Sequence, residues 1–128
     1  MELATQTHLK TLRDLLTYRL GELRSDVHAA ELAREQAAVP LARDVGDRKD
    51  DATQQQFADM DEVQERRDLL ELGQVNAALQ RLDEGTYGDC ADCGEPIALE
   101  RLMVQPAALC CAACQAARER VAERRKGQ

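Results

Sequence analysis

Cys90-Ala91-Asp92-Cys93-Gly94 is followed, with 17 residues between Cys93 and Cys111, by Cys111-Ala112-Ala113-Cys114. Two C-x-x-C pairs at such a separation are typical of a closed site in which four thiolates surround one zinc ion at about 2.3 Å. We therefore predict Cys90, Cys93, Cys111 and Cys114 as the ligands of one zinc ion. Two disulfides, or four unrelated thiols, are the alternatives. Gly94 agrees with a metal knuckle, because the chain must turn tightly beneath the sulfurs and glycine accepts a positive φ.

Cys110 is an odd fifth thiol, directly before Cys111. It could replace Cys111 as a ligand, be buried as a small apolar side chain, or act as a reactive thiol. We expect burial, since free cysteine is among the most frequently buried residue types.

The composition favours long helices over a bulky core. Only three of the 128 residues are aromatic, Tyr18, Phe57 and Tyr87, which is few for a compact globule. The formal net charge of −7 makes nucleic acid a poor partner for the chain as a whole. The opening residues lack the apolar run of a signal peptide, and no stretch is apolar enough to span a bilayer. We therefore expect a cytoplasmic protein, whose reducing surroundings favour thiolate–metal bonds over disulfides.

The N-terminal part of the chain predicts one long helix. Its apolar residues recur at steps of three and four: Leu9, Leu12, Leu16, Leu20, Leu23, Val27 and Ala30. Their mean spacing near 3.5 is typical of a helix packed lengthwise against another. A helix from about Leu3 to about Val39 would be about 55 Å long, and Pro40 would end it.

A second helix is predicted from about Ala52 to Glu84, where Gly85 ends it. Its apolar residues form a looser seam: Phe57, Met60, Val63, Leu70, Leu72, Val75, Leu79 and Leu82. Two helices of similar length joined by a short turn form an antiparallel hairpin. We therefore predict that residues 1–85 are an antiparallel coiled-coil hairpin whose tip lies at about 40–52.

The predicted tip is acidic. Its aspartates are Asp44, Asp47, Asp50 and Asp51. Aspartate often caps a helix N-terminus and complements the helix dipole, but one cap needs only one carboxylate. The others could reach a positively charged or metal-containing cleft of another molecule.

Residues 86–128 are predicted to be a C4 zinc finger followed by a helix from Ala112 to about Arg125. Ile97, Leu99 and Leu102 would be its small core. Basic and acidic residues balance here at six each, so we expect no sequence-specific DNA binding. No nucleophile–base pair or open metal position suggests an enzyme. The predicted fold class is mainly α: a long antiparallel helical hairpin, a small C4 zinc-finger module and a C-terminal helix.

This combination resembles the DksA/TraR family of bacterial transcription regulators, over about residues 40–117. The residues that carry the resemblance are Gly85, Tyr87, Gly88, Cys90, Cys93, Gly94, Ile97, Arg101, Leu102, Pro106, Cys111 and Cys114. The resemblance implies direct binding to RNA polymerase, with the hairpin inserted into the secondary channel to alter open-complex stability. Because the N-terminus is shorter than in full-length members, we expect part of the globular base to be missing.

The tip motif of the family, Asp-x-x-Asp-x-Ala, is matched by Asp47, Asp50 and Ala52. The alternative register, starting at Asp44, would put Lys49 where the alanine belongs. The resemblance implies that the matched tip acts near the catalytic Mg²⁺ and trigger loop of the polymerase. Carboxylates placed there could perturb a metal-centred site.

The regulatory nucleotide ppGpp is expected to have a weak or absent effect. Where responsive family members carry basic side chains, this sequence has Gln74, Gln105 and Gln115, and only Arg67 keeps the charge. A multiply charged phosphate needs guanidinium or ammonium groups.

Two other functions remain open. The chain could be a zinc-stapled helical adaptor with a different partner. It could also be a thiol oxidoreductase, although four ligated thiolates would leave only Cys110 free. We expect the protein to be a monomer.

Overall fold

The computed structural model describes residues 2–38 and 48–126, with side chains described for residues 2–37, 56 and 59–126. These residues contain four helices: α1 (Gln6–Ala38), α2 (Arg48–Glu84), α3 (Leu99–Val104) and α4 (Ala112–Lys126). Asp89 and Pro96 form one isolated antiparallel bridge, and no longer strand occurs in the part of the chain that is described. Within those residues, no helix is both long and apolar enough to cross a membrane.

The chain divides into two compact units, and both long helices contribute to each. One unit combines residues 1–19 with residues 74–128, and the other is residues 20–73. The predicted fold class, a mainly α chain with a helical hairpin and a four-cysteine module, is confirmed. The predicted domain boundary at residue 85 stays a prediction.

Helix α1 begins at Gln6 rather than near Leu3, because Thr5 caps it. The Thr5 hydroxyl oxygen lies 3.5 Å from the backbone N–H of His8, and the Thr5 N–H donates to the His8 ring Nδ1 at 3.0 Å. This reciprocal pair is a capping box in which histidine takes the place usually held by glutamate or glutamine. The local sequence therefore sets the start of the helix.

The end of α2 follows the sequence prediction closely. Gly85 has a φ of 79°, the left-handed conformation that glycine adopts without a Cβ clash. The N–H of Thr86 donates to the Arg81 carbonyl at 2.9 Å, and that of Gly85 to the Leu82 carbonyl at 3.3 Å. These two bonds are a Schellman motif, which satisfies carbonyls that the helix leaves open. It turns the chain sharply toward the first cysteine pair.

In the unit that contains both chain ends, the hairpin core is small and apolar. Leu12 and Leu16 of α1, together with Val75 and Ala78 of α2, are at most 2% exposed. Ala78 is not among the predicted seam positions of α2, which are all large apolar residues. Arg13 and Asp83 add an exposed ion pair between the helices at 2.9 Å, a kind of contact that contributes about 0–1 kcal/mol. Apolar burial therefore holds this pairing together.

In the unit formed by residues 20–73, the predicted seam of α2 is wrong at three positions. Met60, Val63 and Leu70 are 66%, 47% and 67% exposed. The side chain of Glu65 is only 11% exposed instead, and it pairs with Arg34 of α1 at 2.8 Å. The apolar residues recur with a helical period, but the face they share is not the face that turns toward α1.

Helix α2 also begins four residues earlier than predicted, at Arg48 rather than Ala52. Asp50 and Ala52 therefore belong to the first turns of a helix and not to the connecting turn.

Candidate metal centre

The four predicted cysteines come together at one point. Within the described residues, the sulfurs of Cys90, Cys93, Cys111 and Cys114 lie within 4.8 Å of one another. The Cys93 and Cys111 sulfurs are 3.9 Å apart. Four thiolates at about 2.3 Å from a tetrahedral zinc ion would be separated by about 3.8 Å. The donor set and its spacing therefore fit one structural zinc ion.

The first pair lies in a tight knuckle. Gly94 has a φ of 75° and donates its N–H to the Cys90 carbonyl at 2.9 Å. The Cys90 N–H donates to the Glu95 carbonyl at 2.8 Å, and the Ile97 N–H to the Gly88 carbonyl at 2.7 Å. These cross-connections close the knuckle on itself, so Cys90 and Cys93 are presented by a short loop that backbone hydrogen bonds hold in place.

The second pair opens helix α4. The helix begins at Ala112, and the Gln115 N–H bonds to the Cys111 carbonyl at 2.9 Å. Cys111 therefore stands directly before the helix and Cys114 in its first turn. The positive end of the helix dipole favours thiolate over thiol at this position, as metal binding requires.

Backbone N–H groups favour the thiolate form of Cys90, whereas neighbouring thiols disfavour the thiolate form of Cys114. The N–H groups of Cys93 and Cys111 lower the pKa of Cys90 to about 6. The pKa of Cys114 is raised, first by its thiol contact with Cys111 and then by that with Cys90. Four thiolates this close repel one another unless a divalent cation lies between them. The arrangement is therefore suited to a metal rather than to four free thiols.

Cys110 is buried, as expected. Its side chain is 0% exposed, and its sulfur lies 3.6 Å from the Asp92 carboxylate oxygen Oδ2. Arg118 of α4 donates its Nε–H to the same carboxylate at 2.7 Å and lowers the pKa of Asp92. Asp92 thus joins the first knuckle to α4 and to Cys110, which explains the fifth thiol as a structural residue of the module.

The small core of the module contains the three residues predicted for it, together with Tyr87, Cys90 and Cys110. Ile97, Leu99 and Leu102 are 2%, 7% and 0% exposed, and Tyr87 is 9% exposed. Leu99 and Leu102 lie on α3, a helix of six residues that the sequence pattern does not predict. A helix this short has too few turns to show a period.

The predicted tip lies largely outside the described residues. Asp47 is outside them altogether. Asp50 and Ala52 lie in α2, but their side chains are not described. Among the positions that we compared with nucleotide-responsive members, Arg67, Gln74 and Gln105 are exposed, and the Gln115 amide contacts the Glu119 carboxylate at 3.3 Å.

A pair of long helices joined to a closed four-cysteine module defines this chain as a mainly helical C4 zinc-finger protein. Residues 85–120 match the family model described as the prokaryotic dksA/traR C4-type zinc finger. Zinc as the cofactor and the resemblance to the DksA/TraR family are both confirmed.

The chain is also similar to individual proteins and solved structures of the DksA type. The chain is 39% identical over 49 residues to the RNA polymerase-binding transcription factor DksA of Caulobacter vibrioides, an alignment covering 38% of this chain and 34% of that one. It thus spans about a third of the length of the curated relatives that it matches. The structure of transcription factor DksA2 from Pseudomonas aeruginosa matches with a TM-score of 0.72 and 27% identity, over 92% of this chain and 88% of that one. The DnaK suppressor protein from Agrobacterium tumefaciens matches with a TM-score of 0.52 and 28% identity, over 91% and 96% of the two chains.

Tyr87 offers a test of how tightly the module is closed. Its hydroxyl donates to the Pro106 carbonyl at 2.7 Å, and burial raises its pKa to about 12. Because the folded pKa lies above the ordinary value near 10, the stabilisation is complete below pH 10 and is lost as the pH rises through about 12. In a Tyr18→Phe variant, in which Tyr87 is the single tyrosine, we expect a tyrosinate absorbance titration with its midpoint near 12. A midpoint near 10 would mean that the module is open to water.

Proposed function

We propose that the chain is a transcription regulator that binds RNA polymerase directly and inserts its hairpin tip into the secondary channel. In this proposal Cys90, Cys93, Cys111 and Cys114 hold one zinc ion. The observation that carries it is the four-sulfur cluster in a segment that matches the DksA/TraR zinc finger. The relatives, which are named as transcription factors rather than enzymes, support a non-enzymatic role.

The zinc ion would serve as a structural staple. Bound by four thiolates, it would have no open coordination position and would activate no water. The other structural contributions would come from the chain itself. The Schellman turn at Gly85 connects α2 to the first knuckle, and the buried side chains of Leu12, Leu16 and Val75 form the hairpin core of the same unit. The zinc-bound module would thereby stabilise the ends of the two long helices that belong to its unit.

The effector residues in this proposal are Asp47, Asp50 and Ala52. The two carboxylates would act on the metal-centred active site of the polymerase through their charge, and the alanine would keep the surface beside them small. We propose further that the protein is a cytoplasmic monomer without sequence-specific contacts to DNA. The even balance of charge in residues 86–128 supports the last point.

The proposal is tested by binding and transcription with the cognate polymerase. We expect the full chain to be retained by immobilised RNA polymerase and to change the lifetime of open complexes in vitro. A chain that folds and holds zinc but is not retained by the polymerase would support the alternative, a zinc-stapled helical adaptor with another partner.

The nucleotide response is a separate expectation. Since Gln74 and Gln105 are exposed but uncharged, and Gln115 contacts an acidic neighbour, we expect ppGpp to change the effect of the protein on open complexes little or not at all. A triple variant with lysine or arginine at these three positions should gain a response, because each cation adds a charge-assisted contact to phosphate. Transcription assays with and without ppGpp measure the response of the wild type and of the triple variant. Strong synergy between ppGpp and the wild-type protein would contradict the expected weak response.

A further inference from the structure

The loop from Pro106 to Cys110, which leads into the second cysteine pair, accepts hydrogen bonds from several different elements. The Tyr87 hydroxyl donates to the Pro106 carbonyl at 2.7 Å. The N–H of Ala91, in the first knuckle, donates to the Leu109 carbonyl at 3.0 Å. The loop is thereby attached to the chain at one residue before the first metal knuckle and at one residue within it.

Two arginines complete these attachments. Arg101 of α3 donates its Nε–H to the Cys110 carbonyl at 3.0 Å. Arg81 of α2 reaches the Ala108 carbonyl at 3.5 Å, a longer and weaker contact. Arg101 therefore acts at the last peptide group before Cys111, where a change of chain direction would move the ligand most.

These contacts matter because the metal ligands come from two separated segments. The first pair is fixed by its own knuckle, whereas the orientation of Cys111 depends on a loop without regular structure. Groups outside the ligand set that fix the position of ligands typically change metal affinity by about 10- to 100-fold when removed. A loop held before the metal arrives also loses less conformational freedom on binding it.

We propose that Arg101 is a positioning residue for the zinc ion, acting through the Cys110 carbonyl, and that Tyr87 assists it through the Pro106 carbonyl. Together they hold the loop that presents Cys111, so they set how tightly and for how long the metal is retained. The inference goes beyond the regulatory function, and it rests on the proposed metal ligands. If those ligands were wrong, the wild-type chain itself would hold no tightly bound zinc.

The test compares zinc release from the full-length wild type and from Arg101→Gln and Tyr87→Phe variants, using a chromophoric chelator in excess. We expect release to be about 10- to 100-fold faster in Arg101→Gln and also faster in Tyr87→Phe. Substitution with Co²⁺ provides a second readout. Both variants should retain the thiolate-to-metal absorption of a four-sulfur tetrahedral site, because all four ligands remain.

Two controls separate positioning from general destabilisation. Arg120→Gln removes an arginine whose hydrogen bond, among the described residues, stays within its own helix, to the Ala116 carbonyl at 3.4 Å. This variant should leave the release rate unchanged. Leu23→Ala weakens the hairpin at a fully buried residue of the other unit without touching the loop, and should also leave it unchanged. Release from Arg101→Gln at the wild-type rate, or an equal acceleration in Leu23→Ala, would overturn the proposal.

Discussion

A Cys93→Ser variant will not retain zinc, and residues 86–111 will lose their folded structure. Structural zinc sites contribute about 10–16 kcal/mol of apparent binding free energy in zinc-finger peptides. The apolar core of this module is small, with Ile97, Leu99, Leu102 and Tyr87 as its main buried side chains, and it cannot replace a contribution of that size. Metal content per chain and amide hydrogen exchange measure the two effects.

The matched control is Cys110→Ser, the same substitution at a buried thiol of the module that lies outside the four-sulfur group. We expect this variant to hold one zinc ion per chain with moderately lower stability, because a hydroxyl replaces a buried sulfur near Asp92. Chelator treatment of the wild type should reproduce the Cys93→Ser result. If both serine variants keep zinc equally well, the four-cysteine assignment is wrong.

Exchanging Asp47 and Asp50 together for asparagine is expected to remove most of the effect on open-complex lifetime while leaving polymerase binding largely intact. Asparagine keeps the size of the side chain and removes the charge, so the variant tests the carboxylates themselves. Coupling free energies between an effector and a distant site are typically about 1–3 kcal/mol, so we expect a reduction of about 5- to 150-fold. Transcription in vitro and equilibrium binding to the polymerase measure the two quantities separately.

Asp44→Asn is the matched control, because Asp44 belongs to the rejected register of the tip motif. It should behave as the wild type in both assays. An equal loss of effect with Asp44→Asn would show that overall acidity matters rather than the Asp47–Asp50 pair. Loss of polymerase binding in the double variant would count against these residues as effectors.

The long helices could be predicted only in part. The predicted apolar face of α1 is correct, since Leu12, Leu16 and Leu23 are at most 2% exposed. The other predicted positions on that face are half-buried: Leu9, Leu20, Val27 and Ala30. The predicted apolar face of α2 is wrong between Met60 and Leu70, where the predicted seam residues are exposed. Periodicity shows that a helix has an apolar face but does not show which face its partner covers. The Arg34–Glu65 pair joins the two helices there, and the spacing of apolar residues carries no signal of such a charged contact.

Local sequence by itself determined the metal-binding chemistry and the chain reversals of this protein. The spacing of Cys90 and Cys93, and glycine at positions 85 and 94, act over a few bonds through covalent geometry and allowed φ values, so they can be read without knowing the fold. Only the tertiary structure decided that Cys110 is buried beside Asp92 and that Arg101 holds the loop before Cys111. Those contacts join residues 9 to 18 positions apart, and what brings such residues together is the packing of the whole module rather than any local preference.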